Sequence, residues 1–256
     1  MRYQQRMARL VERKIQQTRE KLAVLGARDE DDYGLVLPPE GFVPELPVRD
    51  ENGSFAGAYA WGKNFRYLME NHPVYIDPDD ALAGRWMFML SRMRLGYKLY
   101  RSNFAFDYSD LVPLQVLNFF YDVPNDAYYY EAVKWAVEKG ITSGIGKDAH
   151  FAPDYEIGLS FGWGGLLDKA RTALEKFGHD PVAKELFEAE IDAIEGIQCW
   201  VRHLALAARD RAMTEYEPER KQNLIEMAQV CFRLISAPPE TLREACQWLA
   251  LFNMAS

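Results

Sequence analysis

The stretch DPVAKELFEAEIDAIEGIQCWVRHLALAARDRAMTEYEPERKQNLIEMAQVCFRLISAPPETLREACQWLALF, residues 180–252, decides the fold. It predicts three helices, about 181–214, 218–235 and 240–253. Glu217-Pro218 and Pro238-Pro239 punctuate them, because proline lacks a backbone donor and cannot continue a helix. Thr241-x-x-Glu244 has the form of a capping box. Working upstream, a helix from Glu156 to Lys176 is glycine-rich at Gly162-Trp-Gly-Gly165. Before it comes the loop ITSGIGKDAHFAPDYE, residues 141–156, and before that the amphipathic helix 127–139, with Tyr128, Val133, Trp135, Ala136 and Val137 on its apolar side and Gly140 at its end. Residues 109–121 read as helical after Pro113. No run of alternating strands, no internal repeat and no low-complexity tract occurs, so the fold class is mainly α.

The N-terminal third divides more sharply. Residues 1–26 predict a helix with Met7, Leu10, Val11, Ile15, Leu22 and Leu25 at helical spacing and Gly26 as its stop. Arg2, Arg6, Arg9, Arg13, Lys14, Arg19 and Lys21 cover the other face, which reads as solvated. Residues 27–60, rich in Pro, Gly and acids, read as loop or extended chain. A short helix is expected over 62–71, stopped by His72-Pro73, and then an extended VYID. Asp77-Pro-Asp-Asp80 is expected to open the next helix, its acids at the positive N-terminal end. The predicted organisation is an N-terminal helix (1–26), a Pro/Gly/acidic region (27–71) and a helical body (72–256).

Composition bounds the function. The chain has 256 residues, 48% hydrophobic and 13% aromatic, with 30 Lys+Arg against 38 Asp+Glu for a net charge of −8. A chain this long buries roughly 70–75% of its unfolded surface and needs no disulfide or metal to hold together. The acidic balance argues against nucleic acid as a partner, since phosphate contacts need clustered cations. No stretch is long and apolar enough to span a membrane, and the basic N-terminus lacks the apolar core of a secretory signal, so no membrane partner and a cytoplasmic location are expected. Cys199, Cys231 and Cys246 are too few and scattered for a disulfide framework or a zinc site, and each is expected to be a small buried hydrophobe.

Familiar catalytic patterns are absent: the sequence has no P-loop, no G-x-G-x-x-G after a strand, no G-x-S-x-G, no H-E-x-x-H and no C-x-x-C. Of the four histidines, His72 and His179 sit in turns and His203 lies mid-helix. His150 stands apart, in a glycine-rich loop just before a helix and flanked by Asp148, Asp154 and Tyr155. An imidazole beside a carboxylate can hydrogen-bond a substrate hydroxyl or shuttle a proton. Bracing the loop through backbone contacts is the alternative role for the same side chain.

GIGKDAHFAPDYEIGLSFGWGGLL, residues 144–167, resembles the glycyl radical enzymes, the pyruvate formate-lyase-like family. FEAEIDAIEGIQCWVRHLALAARDRA (187–212), ERKQNLIEMAQVCFRLISAPPETLREACQWLALF (219–252) and HPVYIDPDDALAGRW (72–86) continue that resemblance in the family's order. It implies the helical N-terminal part of an α/β-barrel lyase or dehydratase of anaerobic bacterial metabolism, acting on a small hydroxylated or aminated substrate. His150 matches the histidine at or near the substrate, with Asp148 a secondary substrate contact and Asp154 and Tyr155 as loop braces. The family's radical glycine loop and catalytic cysteine loop have no match here. The resemblance therefore implies a chain that lacks most of the barrel, binds no cofactor directly, and depends on a glycyl radical elsewhere, installed by a radical-SAM activating enzyme. The expected partners are the small-molecule substrate, a C-terminal barrel part or subunit, the activating enzyme and a second copy in a homodimer. A catalytically silent helical interaction protein derived from the family is the alternative. FFYDVPNDAYYYEAVKWAVEKGITSGIGKDAHFAPD (119–154) also resembles one surface-layer homology repeat, a cell-wall polysaccharide binder, but YEIGLSFG stands where the Thr-Arg-Ala-Glu motif belongs.

Overall fold

The computed structural model describes residues 3–25, 46–49, 51, 55, 57–85 and 155–255. Among them the regular elements are all helices: α1 (Tyr3–Leu25), α2 (Gly57–Asn71), α3 (Tyr155–Phe177), α4 (Pro181–Thr214), α5 (Pro218–Leu234) and α6 (Leu242–Ala255). Two compact units divide the chain, one of Met1–Arg101 with Gly158–Ser256 and one of Ser102–Ile157. Nearly all described residues belong to the first; of the second, only the opening turn of α3 is described.

Local chemistry sets the C-terminal helix limits. Asp180 caps α4, its carboxylate accepting from Val182 N at 3.0 Å, and Pro181 occupies a first-turn position where no donor is needed. Pro218 does the same for α5. The capping box of α6 is made: Glu244 Oε2 accepts from Thr241 N at 2.9 Å and Glu240 N at 2.8 Å, while Glu244 N donates to Thr241 Oγ1 at 3.2 Å.

The core runs along α4. Trp200, Val201, Leu204, Ala205 and Ala208 are at most 1% exposed. Leu68 and Met69 of α2 and Leu224, Met227, Cys231 and Leu234 of α5 close over them, with Trp248 and Leu251 from α6. Each buried Val, Leu or Met among them contributes about 1.5–3 kcal/mol by leaving water. Helix α2 starts five residues earlier than its predicted Gly62, and Asn64 inside it pins the segment before it, accepting from Val48 N and donating to Val48 O.

Three expectations are corrected. First, Asp77–Asp80 forms a turn and residues 81–85 are not helical. Asp77 Oδ1 accepts from Asp79 N at 2.9 Å, and the acids face guanidinium groups in place of a helix N-terminus. Second, α1 packs the other way round. Arg6, Arg9 and Arg13 point inward with the buried Gln17, whereas Tyr3, Met7, Val11, Ile15 and Leu22 are exposed. Third, of the cysteines only Cys231 is buried; Cys199 is half-buried and Cys246 exposed.

Candidate functional site at the start of α3

Of the residues singled out by sequence, Asp148, His150 and Asp154 lie outside the described residues, as does the surface-layer-like stretch 119–154. Tyr155 is the first residue of α3 and is exposed. The structure describes helix α3, which follows residues 141–154 in the sequence.

The seat of α3 is built from glycine and tryptophan. Gly162 has φ +61° and ψ 180° inside α3, a left-handed backbone that breaks the helical course there. A Cβ at this position would stand 2.6 Å from the Ala237 carbonyl carbon and the Pro238 nitrogen, so α3 sits directly on the turn between α5 and α6. Gly164 N donates to Ser236 O at 2.9 Å, and Gln198 Nε2 from α4 donates to Ile235 O at 2.8 Å, fixing that turn from two sides. Gly158 lies against the Trp248 ring, which leaves no room for a Cβ. Trp163 stacks on Trp248 at 4.9 Å between centroids, and Trp248 on Phe252 at 5.5 Å. The indole N–H groups of Trp163 and Trp248 are buried without a hydrogen-bond partner among the described residues. A rigid apolar platform of this kind positions; it holds no nucleophile or base of its own.

Three titratable groups elsewhere are pushed towards their neutral forms. Burial pulls the His72 imidazole down to about 4, so it is neutral at pH 7, edge-on to Trp200 at 6.4 Å. Burial pushes the Cys231 thiol up to about 12. Burial and the nearby Glu70 carboxylate raise Cys199, whose Sγ lies 3.7 Å from His203 Nε2. All three cysteines sit within helices, and two of the thiols are held protonated. These positions do not fit a loop-borne thiyl cysteine.

Sequence reasoning missed one constellation. Asp79, 1% exposed, takes Arg9 (Nη2–Oδ1 2.7 Å) from α1 and Arg220 (Nη2–Oδ2 2.7 Å) from α5. Asp77 takes Arg13 at 2.9 Å and Asp80 takes Arg85 at 2.7 Å. Asn223 donates to the Pro78 and Asp80 carbonyls, and Gln247 of α6 clasps Ala83 through both its N–H and its C=O. Burial alone would raise the Asp79 carboxyl, but the hydrogen bonds from Arg9 and Arg220 outweigh it and hold it below the usual carboxylate range. The acids are thus matched by protein cations, and no group of three or more His, Cys, Asp or Glu suited to a metal occurs among the described residues. An acidic Asp-x-Asp-Asp turn and a helix with Arg at 6, 9 and 13 was the available signal.

A cleft of about 330 Å³ opens between α4 and α5, lined by apolar Ala212, Ile225 and Ala228 and by Arg209, Lys221 and Gln229. No described helix is long and apolar enough to cross a membrane.

Residues 121–256, just over half of the sequence, match the family described as pyruvate formate lyase-like. The chain belongs to that family. It is 33% identical over 111 residues to (2S)-3-sulfopropanediol dehydratase of Klebsiella oxytoca, covering 42% of this chain and 13% of the relative. It is 24% identical over 228 residues to isethionate sulfite-lyase of Nitratidesulfovibrio vulgaris, covering 73% of this chain and 27% of the relative. Among solved structures, a glycyl radical enzyme from Archaeoglobus fulgidus superposes with a TM-score of 0.50 at 18% identity over 78% of this chain and 29% of that one. That likeness is one of fold. The chain spans between about an eighth and about a quarter of the length of the curated relatives it matches.

Proposed function

We propose that this chain is the helical, N-terminal portion of a glycyl radical lyase or dehydratase that eliminates a group from a small hydroxylated or aminated substrate. The observation that carries the reading is the family match over 121–256, which runs through the loop bearing His150 and into the platform beneath α3. Both curated relatives are named for elimination chemistry, one a dehydratase of sulfopropanediol and the other a sulfite-lyase of isethionate. A small hydroxylated sulfonate is therefore the first substrate to test.

In this reading His150 hydrogen-bonds a substrate hydroxyl, Asp148 assists it, and Asp154 and Tyr155 brace the loop where it enters α3. The stacked Trp163, Trp248 and Phe252 and the Gly162 contact with the 237–238 turn keep that entry point still. A glycyl radical, generated on other polypeptide by a radical-SAM activating enzyme, would supply the hydrogen abstraction. Residues 72–256 form the family-like body, preceded by the 1–26 helix and the 27–71 region, and the protein works in the cytoplasm.

Anaerobic reconstitution tests this. The chain is combined with the barrel polypeptide of a sulfonate-cleaving relative and its activating enzyme, and product is followed with sulfopropanediol or isethionate. Turnover that needs this chain, and falls at least roughly 10² in kcat/KM on His150→Ala with folding intact, is the expected result. Binding to the barrel polypeptide without any turnover identifies the catalytically silent interaction protein instead. A large drop in thermal stability on His150→Ala assigns the imidazole to bracing.

A further inference from the structure

Cys199 and His203 stand four residues apart in α4, the spacing that puts two side chains on one face, one turn apart. Cys199 Sγ lies 3.7 Å from His203 Nε2, and both residues are half-buried, within reach of water. A cation held by a thiolate at about 2.3 Å and an imidazole nitrogen at about 2.0–2.1 Å, with a tetrahedral angle between them, sets the two donor atoms about 3.5–3.6 Å apart. The pair thus already has the bite of a tetrahedral chelate. It sits on a helix whose adjoining positions, Trp200, Val201 and Leu204, are fixed in the core. We propose that Cys199 and His203 together chelate a thiophilic divalent cation of the zinc(II) type on the side of α4, with water completing its coordination.

The donor atoms select the class of cation. Sulfur and imidazole nitrogen suit zinc and its softer congeners, whereas magnesium and calcium demand oxygen. Oxygen donors nearby are already engaged. Glu195, one turn earlier on α4, meets Arg66 and Arg171, and Glu70, whose charge acts on the Cys199 thiol, meets Arg66. No third His, Cys, Asp or Glu joins the pair among the described residues. Two protein ligands with two positions left to water make an exchangeable site, unlike the four-ligand sites that hold small folds together.

A thiol beside an imidazole has a second reading, as a nucleophilic dyad. That role needs a thiol whose proton leaves readily. Here burial and then Glu70 raise Cys199, and Arg202 and Arg66, acting the other way, do not prevail. The sulfur therefore keeps its proton until a cation replaces it. On binding, the S–H proton passes to the buffer and an Sγ–metal bond forms beside the Nε2–metal bond, with no change of oxidation state. The proposal stands apart from the enzymatic reading, since it needs neither the barrel polypeptide nor a radical.

Titration of the full chain, freed of metal by a chelator and kept reduced, with cobalt(II) and cadmium(II) tests it. The expected result is one cation per chain, a thiolate-to-metal charge-transfer band and release of one proton per cation. Cys199→Ser should abolish the band, and His203→Gln should raise Kd at least roughly 10-fold, with circular dichroism unchanged in both. Cys246→Ser, which removes the exposed thiol, should leave the titration as it is. Absence of the band up to about 1 mM cation overturns the proposal. So does a band that disappears with Cys246, or a Kd that His203→Gln leaves unchanged, which would mean a thiolate acting alone. Should either α4 variant fail to fold, X-ray absorption of zinc-loaded Cys246→Ser decides. One sulfur at about 2.3 Å with an imidazole nitrogen at about 2.0–2.1 Å sustains the chelate, and a shell without sulfur overturns it.

Discussion

Helices α1 and α4 are both amphipathic, yet they bury opposite kinds of surface. Helix α4 turns Trp200, Val201 and Leu204 inward and is held by the hydrophobic effect. Helix α1 turns Arg6, Arg9 and Arg13 inward, onto a buried acidic turn, and leaves Tyr3, Met7, Val11, Ile15 and Leu22 in water. The difference teaches that an apolar stripe identifies a helix but not its inner face. Where a charged partner is already buried, leaving it unpaired costs about 3–5 kcal/mol, more than exposing any one aliphatic side chain. Asp77 and Asp79 thus dictate how α1 lies.

The comparison breaks first at the core. Leu204→Ala is expected to cost about 3–4 kcal/mol of unfolding free energy in urea, whereas Val11→Ala stays within roughly 0.5 kcal/mol in the monomer. Equal losses at the two positions would mean that the α1 stripe is buried after all.

The ionic seat comes next. Asp79→Asn leaves Arg9 and Arg220 facing a neutral amide and is expected to cost about 2–3 kcal/mol. The loss should appear locally, as faster amide hydrogen exchange along α1 with α4 little changed. Because the folded Asp79 carboxyl titrates below its unfolded value, its stabilising contribution is complete above the unfolded pKa and disappears as pH falls through the folded one. The parent chain should therefore lose stability in that acidic window, and Asp79→Asn should lose correspondingly less.

The effect of His72 is read only as a dependence on pH. Its folded pKa of about 4 lies below the unfolded value of 6.5, so the unfolded chain binds more protons between them. Stability should fall as pH drops from 6.5 towards 4 and be flat above 6.5. His72→Phe should flatten that segment of the pH–stability curve, and an unchanged slope would show that the imidazole titrates freely.

Legibility from sequence followed the range of the interactions. The 181–214 helix was readable to the residue because Asp180, Pro181 and the Glu217-Pro218 break act within one turn. The Thr241–Glu244 box was equally local. The Gly-Trp-Gly-Gly segment was visible as a motif, but its meaning was not. Only the approach of Ala237 and Pro238, about 75 residues away, shows why Gly162 must be glycine. Of the candidate site, the helix that follows the loop was legible, beginning at Tyr155, one residue before the predicted Glu156. The aromatic platform was legible only in part: Trp248 and Phe252 have the i,i+4 spacing of one helix face, but Trp163 reaches them only through a stack with Trp248, 85 residues away.

By itself, then, the amino-acid order determined that this protein is helical, where its C-terminal helices begin and end, and which family its loop resembles. Caps, prolines and apolar periodicity act over one or two turns, and a single chain displays them in full. Tertiary structure alone decided which face of α1 is inside, that Asp77–Asp80 is a turn seated among arginines, and that the start of α3 rests on the α5–α6 turn. Each of those outcomes depends on a partner 64 or more residues distant, whose burial sets the energy of the contact and cannot be read from one or two turns of chain.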